Sequence, residues 1–213
     1  MKTDAAEPFD VLDAAGHPTG ATAARDVVHR DGLWHAALHV WIVDATDRVW
    51  LQRRSDDKDL APGKVDVAVG GHLAAGETWV DALREADEEL GLPLAPSDVE
   101  VLGVVRSERR YPHATDREVQ TVAVHRTERT LADVRLPPDE VAAVYAASLP
   151  RLLAWWRDDV PAAVEGRDAQ WRPAGALLHA ADRIEEGRAG TLEELAMLEA
   201  WARESVGPAP DVG

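Results

Sequence analysis

Glu85, Glu88 and Glu89 are spaced i, i+3 and i+4. On a helix that spacing gathers three carboxylates on one face. Like charges so placed repel one another and weaken the helix. A hard divalent cation such as Mg²⁺ or Mn²⁺ removes the repulsion, because such ions take oxygen ligands. The stretch 71–92, GHLAAGETWVDALREADEELGL, therefore reads as a metal cradle entered through a Gly-rich turn. The bland alternative is a solvated acidic face, which charge runs often are.

The flanking residues say what holds this cradle. Trp79, Leu83, Ala86 and Leu90 repeat at helical spacing, which predicts an amphipathic helix over 77–90. Gly91 suits its C-terminus, and Pro93 stops it. Strands are expected at 9–12, 35–43, 48–52, 65–69, 99–106 and 119–125, where apolar and β-branched residues alternate or cluster. The PPDE stretch at 137–140 reads as a turn or a helix entry. Beyond residue 148 helices are expected at 149–157, 174–186 and 191–205, the last with Thr191 and Glu194 as a capping box. The closing GPAPDVG is expected to be disordered. This pattern predicts an α/β core over 1–150 and a helical C-terminal extension over 151–213.

Composition narrows the function classes. The chain of 213 residues has a net charge of −16, which argues against binding a nucleic-acid polymer. Lysine occurs only at positions 2, 58 and 64. No apolar run approaches a membrane span, and the N-terminus does not read as a signal peptide. Cysteine is absent, so a thiol nucleophile or thiolate metal site is ruled out. A cytoplasmic location fits these features.

Gly71, Glu77, Arg84, Glu85, Glu88, Glu89, Gly91 and Leu92 together resemble the Nudix box, G-x5-E-x7-R-E-U-x-E-E-x-G-U, with U a bulky apolar residue. Upstream, HRDGLWHAALHVWIVD, QRRSDDKDLAPG and VAVGGHLAAGE resemble the branch of that superfamily related to isopentenyl-diphosphate isomerase. The resemblance covers roughly residues 8–150 and implies an α/β/α sandwich with a mixed sheet. It also implies a hydrolase that uses Mg²⁺ or Mn²⁺ to cleave a phosphoanhydride in a small nucleoside diphosphate or triphosphate derivative, or a related diphosphate. By position Glu85, Glu88, Glu89 and the Gly71 carbonyl would hold the metal, and Arg84 would brace the loop through Glu77. One departure stands out: six residues separate Glu77 from Arg84, where the pattern has seven. Losing one residue turns a helix by about 100°. Either the helix starts later and the loop absorbs the change, or Glu77 misses Arg84.

The isomerase branch implies more. Arg25, Arg54 and Lys58 match residues that hold the substrate diphosphate there. His29, His35 and His72, with Asp116 and Glu118, match that enzyme's metal ligands, although His29 and His35 stand closer together than the pattern has them. The isomerase protonates its substrate with a cysteine where this chain has Gly70, so its chemistry is not expected here. Two rivals to the hydrolase are thus an isomerase-like enzyme and a catalytically weak nucleotide-binding module. Trp41 and Trp50 are expected in the core, as is Trp34. Trp155, Trp156, Trp171 and Trp201 are expected to pack the C-terminal helices, which either cap the site or form a homodimer contact.

Overall fold

A computed structural model describes residues 6–205. The final GPAPDVG lies outside the described residues. The chain is organised around β3 (Trp34–Asp44), whose side chains alternate between two apolar clusters. Trp41 and Val43 face one cluster, and Leu38, Val40 and Ile42 face the other. Both faces of the sheet are therefore covered, which accounts for the long apolar run in this strand.

Before β3 come β1 (Pro8–Leu12), β2 (Pro18–Ala24) and the short helix α1 (Arg25–Asp31), closed by Gly32 in the left-handed region. After it come β4 (Arg48–Arg54), β5 (Val65–Val67), β6 (Val69–His72) and helix α2 (Arg84–Leu90). Then follow β7 (Glu100–Tyr111), β8 (Ala114–Thr127), β9 (Val141–Ser148), α3 (Leu149–Asp158), β10 (Ala162–Asp168), β11 (Ala176–Leu178) and α4 (Arg188–Ser205).

The sheet is mixed. β8 runs parallel to β3 along its whole length, from Trp34 opposite Arg117 to Asp44 opposite Thr127. β3 also pairs with β6 over 37–40 and meets β4 at Val43, while β4 pairs with β9 and β9 with β10. On one face lies α2, with Leu83, Ala86 and Leu90 buried against Leu38, Val40 and Ile42. On the other lie α3 and α4, burying Leu152, Trp155, Trp156, Leu195 and Leu198 against Trp41, Val43 and Leu51. The result is an α/β/α sandwich. No helix among the described residues is long and apolar enough to cross a membrane.

Two sequence expectations need correction. The residues after 150 are not all helical: β10 extends the sheet, and the span expected as a helix over 174–186 instead forms β11 and a single 3₁₀ turn. Pairing of Ala162 with Leu178 and Val164 with Ala176 overrides the helix preference of its Ala and Leu residues. These C-terminal helices and strands complete the same core that β3 begins, rather than standing apart from it. β9 was not anticipated because Ala and a polar end mask its strand character. In the sheet its Ala146 sits opposite the bulky Trp50, where a small side chain leaves room for the indole.

Candidate active site

The cradle is assembled by a turn at each end. β6 delivers Gly70, Gly71 and His72 to the sheet's rim. A 3₁₀ turn at Asp81–Leu83 then leads into α2, which begins at Arg84 and not at 77 as expected. That tighter turn absorbs the missing residue. Glu77 Oε2 accepts from the Ala74 amide at 2.8 Å and from Arg84 Nη1 at 3.0 Å, so the brace between loop and helix is intact. Of the two outcomes open from the sequence, the structure has the first.

Glu85 packs directly over Gly71, where any Cβ would collide with the Glu85 side chain. Glu89 is buried and accepts from Gln52 Nε2 at 3.0 Å and from the Gly70 amide at 3.2 Å. Burial pushes the Glu85 carboxyl up to about 8, and the neighbouring Glu89 adds to the rise. Burial also lifts Glu89 to about 7, against the pull of Lys58 and its two hydrogen bonds. Glu88 is about half exposed, with Arg84 Nε 3.9 Å from its Oε1. One buried and one partly buried carboxylate on one short helix, both with raised pKa values, form an electrostatic deficit that a dication would relieve.

The cradle opens on a cleft of about 950 Å³, within the range that small-molecule sites occupy. Arg25, Arg54, Lys58, Gly71, His72, Arg84, Glu85, Glu88 and Glu89 all line it. Arg54 is aimed inward by a register shift in the β4–β9 pairing between Arg53 and Arg54. Its neighbour Arg53 turns outward to Asp56 at 2.8 Å. Lys58 forms an ion pair with Glu140 at the rim of the cleft.

A second cluster lies behind the first, in a small chamber of about 40 Å³ that shares Arg25, Arg54, Gly70, Gly71 and His72 with the cleft. Ligand atoms of His29, His35, His72 and Asp116 all fall within 4.8 Å of one another. The closest approaches are His29 Nε2 to Asp116 Oδ1 at 3.6 Å, His35 Nε2 to the same oxygen at 3.4 Å, and His72 Nε2 to Glu118 Oε1 at 3.0 Å. A metal ion held at about 2.1 Å by ligands at right angles would set neighbouring ligand atoms about 3 Å apart. His29 Nε2, His35 Nε2 and Asp116 Oδ1 are buried without a hydrogen bond, while His72 Nε2 faces Glu118 Oε1. The donor set thus fits a divalent cation.

Electrostatics agree with that fit. Burial depresses His29 to about 4, with His35 and Arg25 adding to the effect. Burial likewise lowers His35 and His72, which holds the rings toward the neutral form that a metal ligand needs. Asp116 is pushed up to about 7 by burial and by the Glu118 charge. Burial would raise Glu118 too, but Arg109 and His72 outweigh it and hold the carboxyl well below its usual range.

Of the site residues expected from the sequence, the three helix glutamates, Arg84, Gly71, His72 and the three cations line the cleft, Glu118 and Asp116 line the inner chamber, and His29 and His35 line neither but meet Asp116 behind it. Sequence reading missed Arg109, a buried guanidinium whose Nη1 lies 3.7 Å from Glu118 Oε2. It continues the inward alternation of Val105 and Ser107 along β7, a period-two signal available in the sequence. Glu194 was read as a capping-box acid, but α4 begins earlier, at Arg188, and Glu194 is buried instead. Trp41 and Trp50 are core residues as expected, whereas Trp171 is exposed.

The layered fold and the glutamate-bearing helix define a Nudix-type sandwich. The NUDIX domain family matches residues 33–164, and the chain belongs to that family. Among relatives, it is 51% identical over 96 residues to Nudix hydrolase 3 of Arabidopsis thaliana, covering 44% of this chain and 12% of that protein. It is 28% identical over 149 residues to an uncharacterized Nudix hydrolase of Clostridium acetobutylicum, covering 68% of this chain and 72% of that one. An uncharacterized Nudix hydrolase of Streptomyces coelicolor matches at 39% over 92 residues, 43% of this chain and half of the other. The chain thus spans a small fraction of the plant protein and half of the Streptomyces one. Among solved structures, a Deinococcus radiodurans protein superposes with TM-score 0.52 at 21% identity, over 70% of this chain and 87% of the other. The MutT protein from Methanosarcina mazei Go1 gives TM-score 0.52 at 19% identity, over 81% and 96% of the two chains. These two likenesses concern the fold.

Proposed function

We propose that the chain is a metal-dependent pyrophosphohydrolase, cleaving a phosphoanhydride in a small nucleoside diphosphate or triphosphate derivative or a related diphosphate, in the cytoplasm. The observation that carries this reading is the pair of Glu89, buried, and Glu85, packed over Gly71, whose carboxyls desolvation raises to about 7 and about 8. Glu85, Glu88, Glu89 and the Gly71 carbonyl would hold Mg²⁺ or Mn²⁺. When bound, the ion neutralises charge on the phosphates and lowers the pKa of a coordinated water.

The remaining work falls to the chain itself. Arg25, Arg54 and Lys58 converge on the cleft from α1, β4 and the loop after it, and are suited to grip the diphosphate oxygens. Lys58 must exchange its Glu140 partner for substrate to do so. Gln52 and the Gly70 amide fix the Glu89 carboxylate, which leaves it one orientation toward the cleft. Arg84 and Glu77 keep the loop closed on the helix, so the glutamates are arranged before substrate arrives.

A second cation at His29, His35, His72, Asp116 and Glu118 is favoured by the three unpartnered ligand atoms there, on His29, His35 and Asp116. It lends support to the isomerase branch as the architectural kin, but the reaction of that branch needs a thiol where this chain has Gly70. A shortened box would favour the weak-binding alternative through a broken brace, but the Glu77–Arg84 contact is made at 3.0 Å. Phosphate release from a panel of nucleotides, nucleotide sugars, dinucleoside polyphosphates and prenyl diphosphates, with Mg²⁺ and with Mn²⁺, tests the reading. Silence across the panel with both metals, from folded protein, refutes it.

A further inference from the structure

Helix α4 lies beyond the residues matched to the family, yet it sends one charged side chain into the core beneath the site. Glu194 is 1% exposed. Its carboxylate accepts from Trp41 Nε1 at 2.9 Å and lies 3.0 and 3.1 Å from His39 Nδ1. The opposite nitrogen of that ring, His39 Nε2, is 3.4 Å from Gln120 Nε2. Gln120 in turn donates from the same nitrogen to Glu118 Oε2 at 2.6 Å, and its own Oε1 has no partner. A continuous file of buried polar groups therefore runs from α4 to a carboxylate of the inner cluster.

The donors and acceptors along this file fix its direction. Glu118 accepts only, so the Gln120 amide must turn its NH₂ toward it. The second amide hydrogen then faces His39 Nε2. His39 Nδ1–H points to Glu194 whether the ring is neutral or charged. The Glu194 charge, working against burial, draws His39 up toward about 9, whereas the Gln120 amide favours a bare Nε2; the anchoring of the ring on Glu194 is common to both states. Two glycines let α4 come close enough. A Cβ on Gly187 would collide with Arg109, and one on Gly190 would press on Ser107.

We propose that Glu194 is a positioning residue: through His39 and Gln120 it holds Glu118 in the rotamer that faces His72, and so sets the affinity of the histidine–carboxylate cluster for a divalent cation. The proposal rests on the reading of that cluster as a metal site. Groups that orient a ligand from behind are commonly worth about 10- to 100-fold in metal affinity.

The test is calorimetric titration of the whole chain with Mn²⁺, paralleled by the electron paramagnetic resonance of free Mn²⁺. Four proteins are compared: wild type, His35→Ala, Glu194→Gln and Leu198→Ala. Leu198 is buried on the same helix against the apolar core, so its truncation loosens α4 without touching the file. Circular dichroism and melting establish that each variant is folded. The expected result is two classes of Mn²⁺ site in wild type, one of them lost in His35→Ala. In Glu194→Gln that class weakens about 10- to 100-fold. The class at Glu85, Glu88 and Glu89 is unchanged there, and Leu198→Ala loses melting temperature but not affinity. If His35→Ala loses a class that Glu194→Gln retains at full affinity, the proposal alone is overturned. Equal weakening in Leu198→Ala overturns it too, by reducing Glu194 to a structural role. If wild type and His35→Ala titrate identically, the metal reading of the cluster falls, and the proposal with it.

Discussion

Stripping the protein of metal should make it less stable as the pH rises from 6.5 to 8, the reverse of what most carboxylate-rich proteins do. The folded state raises Glu85 from 4.5 to about 8, Glu89 from 4.5 to about 7 and Asp116 from 3.8 to about 7. Each therefore keeps a proton that the unfolded chain has already released. The stability that such a group contributes is complete below its unfolded pKa and is lost as pH rises through its folded one. Three histidines act oppositely: burial lowers His29 from 6.5 to about 4 and lowers His35 and His72, so the unfolded chain holds protons that the folded one lacks. Between about pH 5 and 6.5 the two sets offset each other, three against three. Above 6.5 those three histidines are neutral in both states and the carboxylates remain, joined by His39, which, against its burial, Glu194 draws up from 6.5 to about 9. A net of about two protons is worth about 2.7 kcal/mol per pH unit, so roughly 4 kcal/mol disappears by pH 8. For a chain of this size that is a fall of roughly 8–16 °C in Tm. Saturating Mn²⁺ replaces those protons, which should flatten the decline and raise Tm throughout. The assay is thermal melting by circular dichroism in half-unit pH steps, with chelator or with Mn²⁺. Parallel curves, or a chelated protein that gains stability over this window, would refute the reasoning.

Glu89→Gln keeps the shape of Glu89 and, with its carbonyl oxygen in the place of Oε2, both hydrogen bonds, but removes the charge; phosphate release should fall by about 10³-fold, or about 4 kcal/mol of transition-state stabilisation, in a protein with unaltered circular dichroism. Glu85→Gln should stabilise the chelated protein at pH 8 by about 1 kcal/mol or more while it abolishes the Mn²⁺ protection, as paired melts with and without metal would report. Lys58→Met should raise KM about tenfold and leave kcat within a few-fold, since Lys58 lines the cleft as a point charge suited to binding; a kcat loss of equal size would reassign it. Arg84→Ala should cost about 1 kcal/mol or less in denaturant melts, because the pair with Glu77 is partly exposed, yet reduce kcat/KM about tenfold by freeing the loop.

Much of the site was legible because its chemistry is local in sequence. The three glutamates, Arg84, Gly71 and His72 lie within one stretch of 19 residues, so helix periodicity and turn chemistry sufficed to group them. Arg25, Arg54, Lys58 and the inner histidines were reachable only through resemblance, since nothing in local spacing says that α1 packs on β8 and brings His29 to His72. What escaped notice is what depends on long-range pairing. β9 and β11 take their form from their neighbours in the sheet, and their Ala-rich composition carries little strand signal. Glu194 is separated from His39 by 155 positions, and an acid three residues after a threonine looks like a helix cap until its tertiary neighbours are known. Arg109 could have been found from alternation along β7, but a charged residue at an inward position is ordinarily a reason to reject a strand.

The tight turn at Asp81–Leu83 also bears on how such chains are recognised across genomes. A spelling rule with rigid gaps would discard this protein for want of a single letter, although the ion pair that the gap exists to permit is made at 3.0 Å. What the fold preserves is the meeting of two side chains, and the count of residues between them can fall by one where the coil is wound more steeply.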